Sequence, residues 1–328
     1  MRRREFIRLA GLLGAAWPLT VRGQHVATPV VGFLGAVPLS SGRSYFDAFV
    51  EGLKEAGYAD GRNVAIEHRW ADGKYDRLPA LASELVQRRV AVLVGAAPPA
   101  ALAAKAATTT IPVVFISGDD PIKSGLVERL NRPGGNVTGV SVFSGSQLGA
   151  KQLGLLRDLV PSAKAMGLLV NPKNARQTDA QIELMQPAAR ALGIKLSVVK
   201  ASGENDLAQA FATLSEQRVS ALIVGADPLW FGLRNQIIAL AEQHKTPAVY
   251  GFREYAAVGG LMSYGPSLTD GYRQAGIYTA RILKGERPGE MPVLLPTKFQ
   301  LVINARTAKS LGLTLPPGML SIADEMIE

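Results

Sequence analysis

The chain has 328 residues, no cysteine and three histidines, with 36 Lys and Arg against 27 Asp and Glu for a formal charge of +9. Without Cys there are no disulfides and no thiolate chemistry, and His25, His68 and His244 are scattered singly, which is not zinc-site spacing. There is no run of five or more basic residues, so the charge reads as a mildly basic surface favouring anionic partners and not as a nucleic-acid footprint.

Residues 1–23 read as a cleaved export leader. Arg3-Arg4-Glu5-Phe6-Ile7-Arg8 precedes an apolar stretch from Leu9 to Leu19, and Val21-Arg22-Gly23 resembles a small-x-small cleavage site. The order R-R-x-F-I-R looks like the twin-arginine signal. An ordinary secretory leader is the alternative, because a spanning anchor needs roughly 20 apolar residues. With no Cys to carry a lipid, the mature protein is expected free in the periplasm. The leader holds five arginines and one glutamate, so the remaining chain of about 300 residues, enough for two domains, carries only about +5.

Beyond the leader, short β-branched runs alternate with amphipathic segments. Strands are expected at 29–35, 64–69, 91–95, 112–117 and 137–142, with helices at 44–57, 78–88, 99–108 and 121–130 between them. Asn131–Asn136 reads as a turn. The pattern then restarts, with helices at 147–160, 175–192, 207–217 and 233–244 and strands at 165–170, 195–199, 221–224 and 248–250. Repeated β-α units give parallel sheets covered by helices on both faces. The class is therefore α/β, with two doubly wound parallel-sheet lobes. The tail offers strands at 261–264 and 299–303 and helices at 267–284 and 305–311, joined by a Pro- and Gly-rich connection at 285–296. Such a tail can serve both lobes in turn, giving a multi-crossover hinge. The expected division is 28–141 plus 263–292 for the first lobe and 142–262 plus 293–328 for the second.

Four strand-to-helix junctions share one design: Ala97-Pro98-Pro99, Asp119-Asp120-Pro121, Asn171-Pro172 and Asp227-Pro228. Pro is favoured at the first helical position, and in three of the four an Asp or Asn precedes it as a cap, so helix capping is the plain reading of these junctions. Position adds a second reading, because doubly wound sheets bind ligands at the carboxyl ends of their strands. There a helix N-terminus can hold a carboxylate and a nearby Asp an ammonium group. Aromatic residues gather near the same edges: Tyr45, Phe143, Trp230, Phe231, Tyr250, Phe252, Tyr255 and Tyr264. Phe143 and Phe231 are equally well read as core. Trp230, beside Asp227-Pro228, is the favoured stacking wall for a planar ligand. Arg253-Glu254 is either a charged pair at the cleft or a solvated surface pair.

Catalytic signatures are missing: the chain has no G-x-S-x-G elbow, no G-x-x-x-x-G-K-[ST] loop and no H-E-x-x-H helix. Gly134–Gly139 is glycine-rich but precedes a strand, which is the wrong context for a dinucleotide loop. Neither an enzyme nor a cofactor or metal is expected.

Five stretches carry a family resemblance: IPVVFISGDDPIKSGLVE (111–128), RPGGNVTGVS (132–141), GADP (225–228), GGLMSYGP (259–266) and PTKFQLVIN (296–304). Together they resemble the tryptophan/tyrosine-type substrate-binding proteins of ABC transporters, over nearly all of residues 28–328. The resemblance implies a type I periplasmic-binding-protein fold, ligand capture between two hinged lobes, and delivery to an inner-membrane permease with a cytoplasmic ATPase. A monomer with no nucleic-acid partner is expected. By the same analogy Ser41, Tyr45, Ala97, Pro98, Ser117, Asp119, Asn171, Asp227, Tyr250 and Tyr264 are the candidate ligand contacts. The hinge rotation is expected near Ser141-Val142, Tyr264 and Lys298-Phe299. At Gly95–Pro99 the chain departs from relatives that often carry hydroxyl residues there, so an aromatic carboxylate stands beside an aromatic amino acid as the expected ligand. The rival reading is a ligand sensor that presents its closed form to a membrane receptor kinase.

Overall fold

The strands at 30–35, 92–96 and 113–117 form because their residues are apolar on both faces, the pattern of a parallel sheet covered on two sides. The structure, a computed structural model, describes residues 28–142 and 145–328. The export leader and Phe143 lie outside the described residues. The first half runs β1 (Val30–Gly35), α1 (Leu39–Glu55), β2 (Ala65–Trp70), α2 (Leu78–Gln87), β3 (Val92–Ala96), α3 (Pro98–Ala107), β4 (Val113–Ser117) and β5 (Val137–Ser141). The second runs α4 (Gly145–Leu159), β6 (Ala165–Val170), α5 (Ala175–Ala191), β7 (Lys195–Lys200), α6 (Glu204–Glu216), β8 (Ala221–Val224), α7 (Leu229–Gln243), β9 (Ala248–Tyr250), α8 (Arg253–Ala257) and β10 (Met262–Pro266). The tail adds α9 (Leu268–Leu283), β11 (Phe299–Asn304), α10 (Ala305–Ser310), α11 (Pro317–Ile322) and β12 (Glu325–Ile327).

Among the described residues there are two sheets, ordered β2-β1-β3-β4-β5 and β12-β11-β10-β9-β8-β6-β7. All pairs are parallel except β10 with β11. Each sheet has apolar side chains packed on both faces, including Phe33, Phe49 and Phe115 in the first lobe and Met166, Leu168 and Phe211 in the second.

The segment 121–130 is not a helix. Asp120 Oδ1 accepts from the N–H groups of Ile122 (2.9 Å) and Lys123 (3.1 Å), and Gly125, at φ 74°, turns the chain away after a single turn. The side chain that should start a helix here instead knots the loop. Helix α7 begins four residues before the expected position, which places Trp230 and Phe231 on its first turn. The elements α8, α11 and β12 are additional to the sequence reading.

The tail serves both lobes. Strand β10 stays in the second sheet through Pro266, so the chain returns to the first lobe at Ser267, not at residue 263. Helix α9 packs on α1 through two glycines: a Cβ on Gly52 would sit 1.9 Å from the Arg273 carbonyl oxygen, and one on Gly276 would sit 2.1 Å from that of Phe49. Leu294 bridges Val140 of the first sheet, so the final crossing to the second lobe falls after Leu294, not at residue 293.

Candidate functional site

The loops that follow β1, β3, β4, β8 and β9 converge between the two sheets. They enclose a cleft with two adjoining chambers of about 60 and 160 Å³. Gly118, Val142, Gln177, Ala226 and Phe252 line both, so the chambers lie side by side along these residues.

The first chamber is almost wholly apolar. Its rings are Tyr45, Trp70, Phe231, Phe252 and Tyr272. Tyr45 stacks on Tyr272 at 5.3 Å and meets Phe231 edge-on at 5.5 Å, while Phe231 lies 5.4 Å from Phe252. Trp70 donates its indole N–H to His68 Nδ1 at 3.0 Å, which fixes the ring. Such ring clusters present flat apolar faces with little rotamer entropy to lose on binding. Asp227 is the one charged side chain lining this chamber among the described residues.

The second chamber is larger, with an apolar wall that also carries charged and amide side chains. Asp119, Asp120, Lys123, Arg176, Gln177, Gln181 and Glu183 contribute to its wall. Burial pushes the Asp119 carboxyl up to about 6, with Arg176 pulling it back and Asp227 and Asp120 adding to the rise. Arg176 of the second lobe reaches over to donate to the Ser124 carbonyl of the first at 2.6 Å.

Asp227 is the most heavily engaged polar group of the site. Its Oδ1 accepts from Tyr75 Oη (2.9 Å), Asn171 Nδ2 (3.0 Å) and the Leu229 N–H (2.9 Å), and its Oδ2 from Asn174 Nδ2 (2.9 Å). Burial raises its pKa and these hydrogen bonds oppose the rise. The Leu229 bond starts α7, so Asp227 both fixes that junction and faces the cleft.

The sequence candidates divide. Tyr45, Ala97, Pro98 and Asp227 line the first chamber, and Asp119 lines the second. Ser41 stands on α1 one residue before Gly42, its hydroxyl donating to the Pro38 carbonyl at 3.0 Å. Ser117 is buried, its Oγ accepting the Asp119 N–H at 3.1 Å, and Asn171 is buried behind Asp227, so both orient other residues. Three aromatic candidates lie elsewhere. Trp230 is fully buried in the second lobe's core, and its neighbour Phe231 lines the chamber instead. Tyr250 is also in that core, stacked on Tyr255 at 4.8 Å, and Phe252 takes the cleft position. Tyr264 stacks on Phe299 at 6.1 Å, outside both chambers. Arg253 turns away to pair with Glu325, and Glu254 accepts from Thr269 Oγ1 at 3.2 Å, so neither lines the cleft.

Trp70 and Tyr272 were missed by sequence reading. Trp70 ends β2, so its place beyond a strand end was the available signal; Tyr272 lies inside a long amphipathic helix and had none. Among the described residues no helix is long and apolar enough to cross a membrane, and no group of three His, Asp or Glu side chains could hold a metal ion.

Comparison with known proteins places this architecture. A tyrosine-binding protein of Clostridioides difficile (strain R20291) is 26% identical over 265 residues, which is 81% of this chain and 75% of that protein. The crystal structure of a conserved domain protein from Vibrio cholerae O1 biovar El Tor strain N16961 superposes with a TM-score of 0.84 at 30% identity, covering 91% of this chain and 99% of the other. An ABC domain from Streptococcus pneumoniae, solved in complex with L-Trp, gives 0.83 at 28% identity over 92% of this chain and all of that one. The fold is that of the type I periplasmic binding proteins. The family described as ABC transporter substrate binding protein, whose members bind solutes and do not catalyse reactions, matches residues 37–327. Two parallel-sheet lobes with a cleft at the facing strand ends, and a family match over nearly the whole described chain, lead to one conclusion: this protein belongs to the ABC transporter substrate-binding protein family.

Proposed function

We propose that this protein is exported to the periplasm by the twin-arginine-like leader, captures a small ring-bearing amphipathic solute, and delivers it to an inner-membrane permease driven by a cytoplasmic ATPase. The observation that carries this reading is the pairing of chambers: an aromatic, apolar one with a single charged side chain adjoins a larger one whose wall carries several charged and amide side chains. A planar apolar group fills the first and its polar substituent faces Asp227 or the second. The bound aromatic amino acids named for two similar proteins support a ligand of this size and shape.

Capture proceeds by hinge rotation near the places where the chain leaves one sheet for the other: at Ser141-Val142, at Ser267, and between Leu294 and Phe299. Tyr75–Asp227 and Arg176–Ser124 then link the lobes across the mouth. Closure removes ring surface from water, worth roughly 25 cal/mol per Å², and the ligand's preference for the closed form shifts the population toward it.

A thermal-shift screen of the mature protein against aromatic amino acids, aromatic acids, aromatic amines and non-aromatic solutes tests the reading. A ligand at 100 times its dissociation constant adds about 2.7 kcal/mol of stability. Trp70 lines the chamber and Trp230 is sealed in the core, so a hit in the cleft also changes tryptophan emission. Stabilisation by non-aromatic solutes alone, with emission unchanged, would remove the reading.

A further inference from the structure

The polar group of the ligand is narrowed by which hydrogen-bonding groups the cleft has left. Of the strand-to-helix junctions that frame the aromatic chamber, those after β3 and β8 are poor in free N–H donors. After β3, the Ala97 N–H is given to the Ile116 carbonyl at 2.9 Å, and Pro98 and Pro99 have none. After β8, the Ala226 N–H goes to Gln181 Oε1 at 2.7 Å, Pro228 has none, and the Leu229 N–H goes to Asp227. These two helix starts have spent their donors or replaced them with proline, so neither receives a carboxylate.

The acceptor side is different. The four donors to Asp227 are all neutral, and none of the ion pairs among the described residues includes it. Its Oδ1 already accepts three bonds, but its Oδ2 accepts only one, which leaves a lone pair for another donor. A buried carboxylate without a counter-charge is costly, and a ligand ammonium group supplies one. The five surrounding rings add cation–π attraction for the same group. In the second chamber three acids (Asp119, Asp120, Glu183) face two bases, and one of those, Arg176, is turned onto the Ser124 carbonyl.

We infer that the cleft selects an aromatic amine whose ammonium-bearing carbon carries no carboxylate, in preference to the matching α-amino acid or aromatic acid. This rests on the capture function proposed above and narrows its ligand class. An amino acid brings its carboxylate within a few bonds of Asp227, where the chamber repels it and the Pro98-Pro99 helix start does not receive it.

The test is calorimetric titration of the mature protein with tyramine, tryptamine, L-tyrosine, L-tryptophan, 4-hydroxyphenylacetate and indole-3-acetate. The amines are expected to bind at least about tenfold more tightly than their amino-acid and acid counterparts, a difference on the order of one charge-assisted hydrogen bond. Asp227→Asn should abolish that preference, with its melting temperature measured alongside. The double variant Pro98→Ser with Pro99→Ala restores two N–H groups and should raise amino-acid affinity while leaving the amines unchanged; it decides the matter if Asp227→Asn does not fold. Amino acids or acids binding as tightly as amines in the wild-type protein would overturn the inference and keep the capture function. No binding by any of the six would overturn both.

Discussion

The hydroxyl of Tyr75, on the loop after β2, donates to Oδ1 of Asp227 at the start of α7, 2.9 Å away and 152 positions along the chain. One bond therefore joins the first lobe to the helix start that frames the cleft in the second. Hydrogen bonds to charged groups are worth on the order of 1.5–3 kcal/mol. Tyr75→Phe is expected to weaken the closed form by about that amount and to increase the radius of gyration of the ligand-free protein in small-angle scattering. Identical scattering curves would mean that the bond does not hold the lobes together.

Phe231 and Trp230 are adjacent on α7 but face different surroundings. Phe231→Ala should lower ligand affinity roughly tenfold, as expected for losing about 50–60 Å² of apolar contact, with a smaller change in stability. Trp230→Phe should do the reverse: it opens space in a sealed core and costs on the order of 1–3 kcal/mol, with affinity within about twofold of wild type by titration. Equal affinity losses in both would show that the two positions are not separated as described.

Asp119 gives the site a pH dependence. Its carboxyl is raised from 3.8 to about 6, chiefly by burial. Between those values the folded state holds the proton more tightly than the unfolded state, so this group's contribution is fully present below about pH 4 and lost as pH rises through 6. Asp119→Asn keeps the shape without the charge. It should raise the melting temperature at pH 7.5 by a few degrees, roughly what 1–2 kcal/mol gives for a protein of this size, and leave it unchanged near pH 4. A variant that is less stable at pH 7.5 would show that the ionised carboxylate is favoured in place.

The α1–α9 contact is expected to tolerate no side chain at its glycines. Gly276→Ala would place a Cβ 2.1 Å from a backbone oxygen, which only a shift of the whole helix can relieve. A loss of about 1–3 kcal/mol, the usual cost of overpacking, should appear as a lower urea midpoint. Gly154→Ala, on α4 with open space around it, is the control and should cost almost nothing.

The alternation of strands and helices was legible because each element announces itself locally. Aliphatic runs such as Val30–Gly35 have no polar face, and Gly57 and Gly193 stop the helices before them. The strand-end loops were legible as the site for the same local reason, and they do line the cleft at Ala97, Pro98, Asp119 and Asp227. The helix expected at 121–130 fails because Asp120 closes its own turn, a competition between side-chain and backbone hydrogen bonding that periodicity does not register.

The sequence alone determined the class, the two series of β-α units and the strand edge that lines the cleft, since all three follow from patterns a few residues long. Tertiary structure decided which of two neighbouring aromatics faces the cleft. Successive residues on a helix differ by about 100° and on a strand by about 180°, so a small change in where an element starts exchanges Trp230 for Phe231, and the turn after β9 buries Tyr250 while presenting Phe252. It also decided that Asp227 meets Tyr75, and that α9 returns to α1 through Gly52 and Gly276. These are contacts between segments far apart in the chain, fixed by packing that no local pattern encodes.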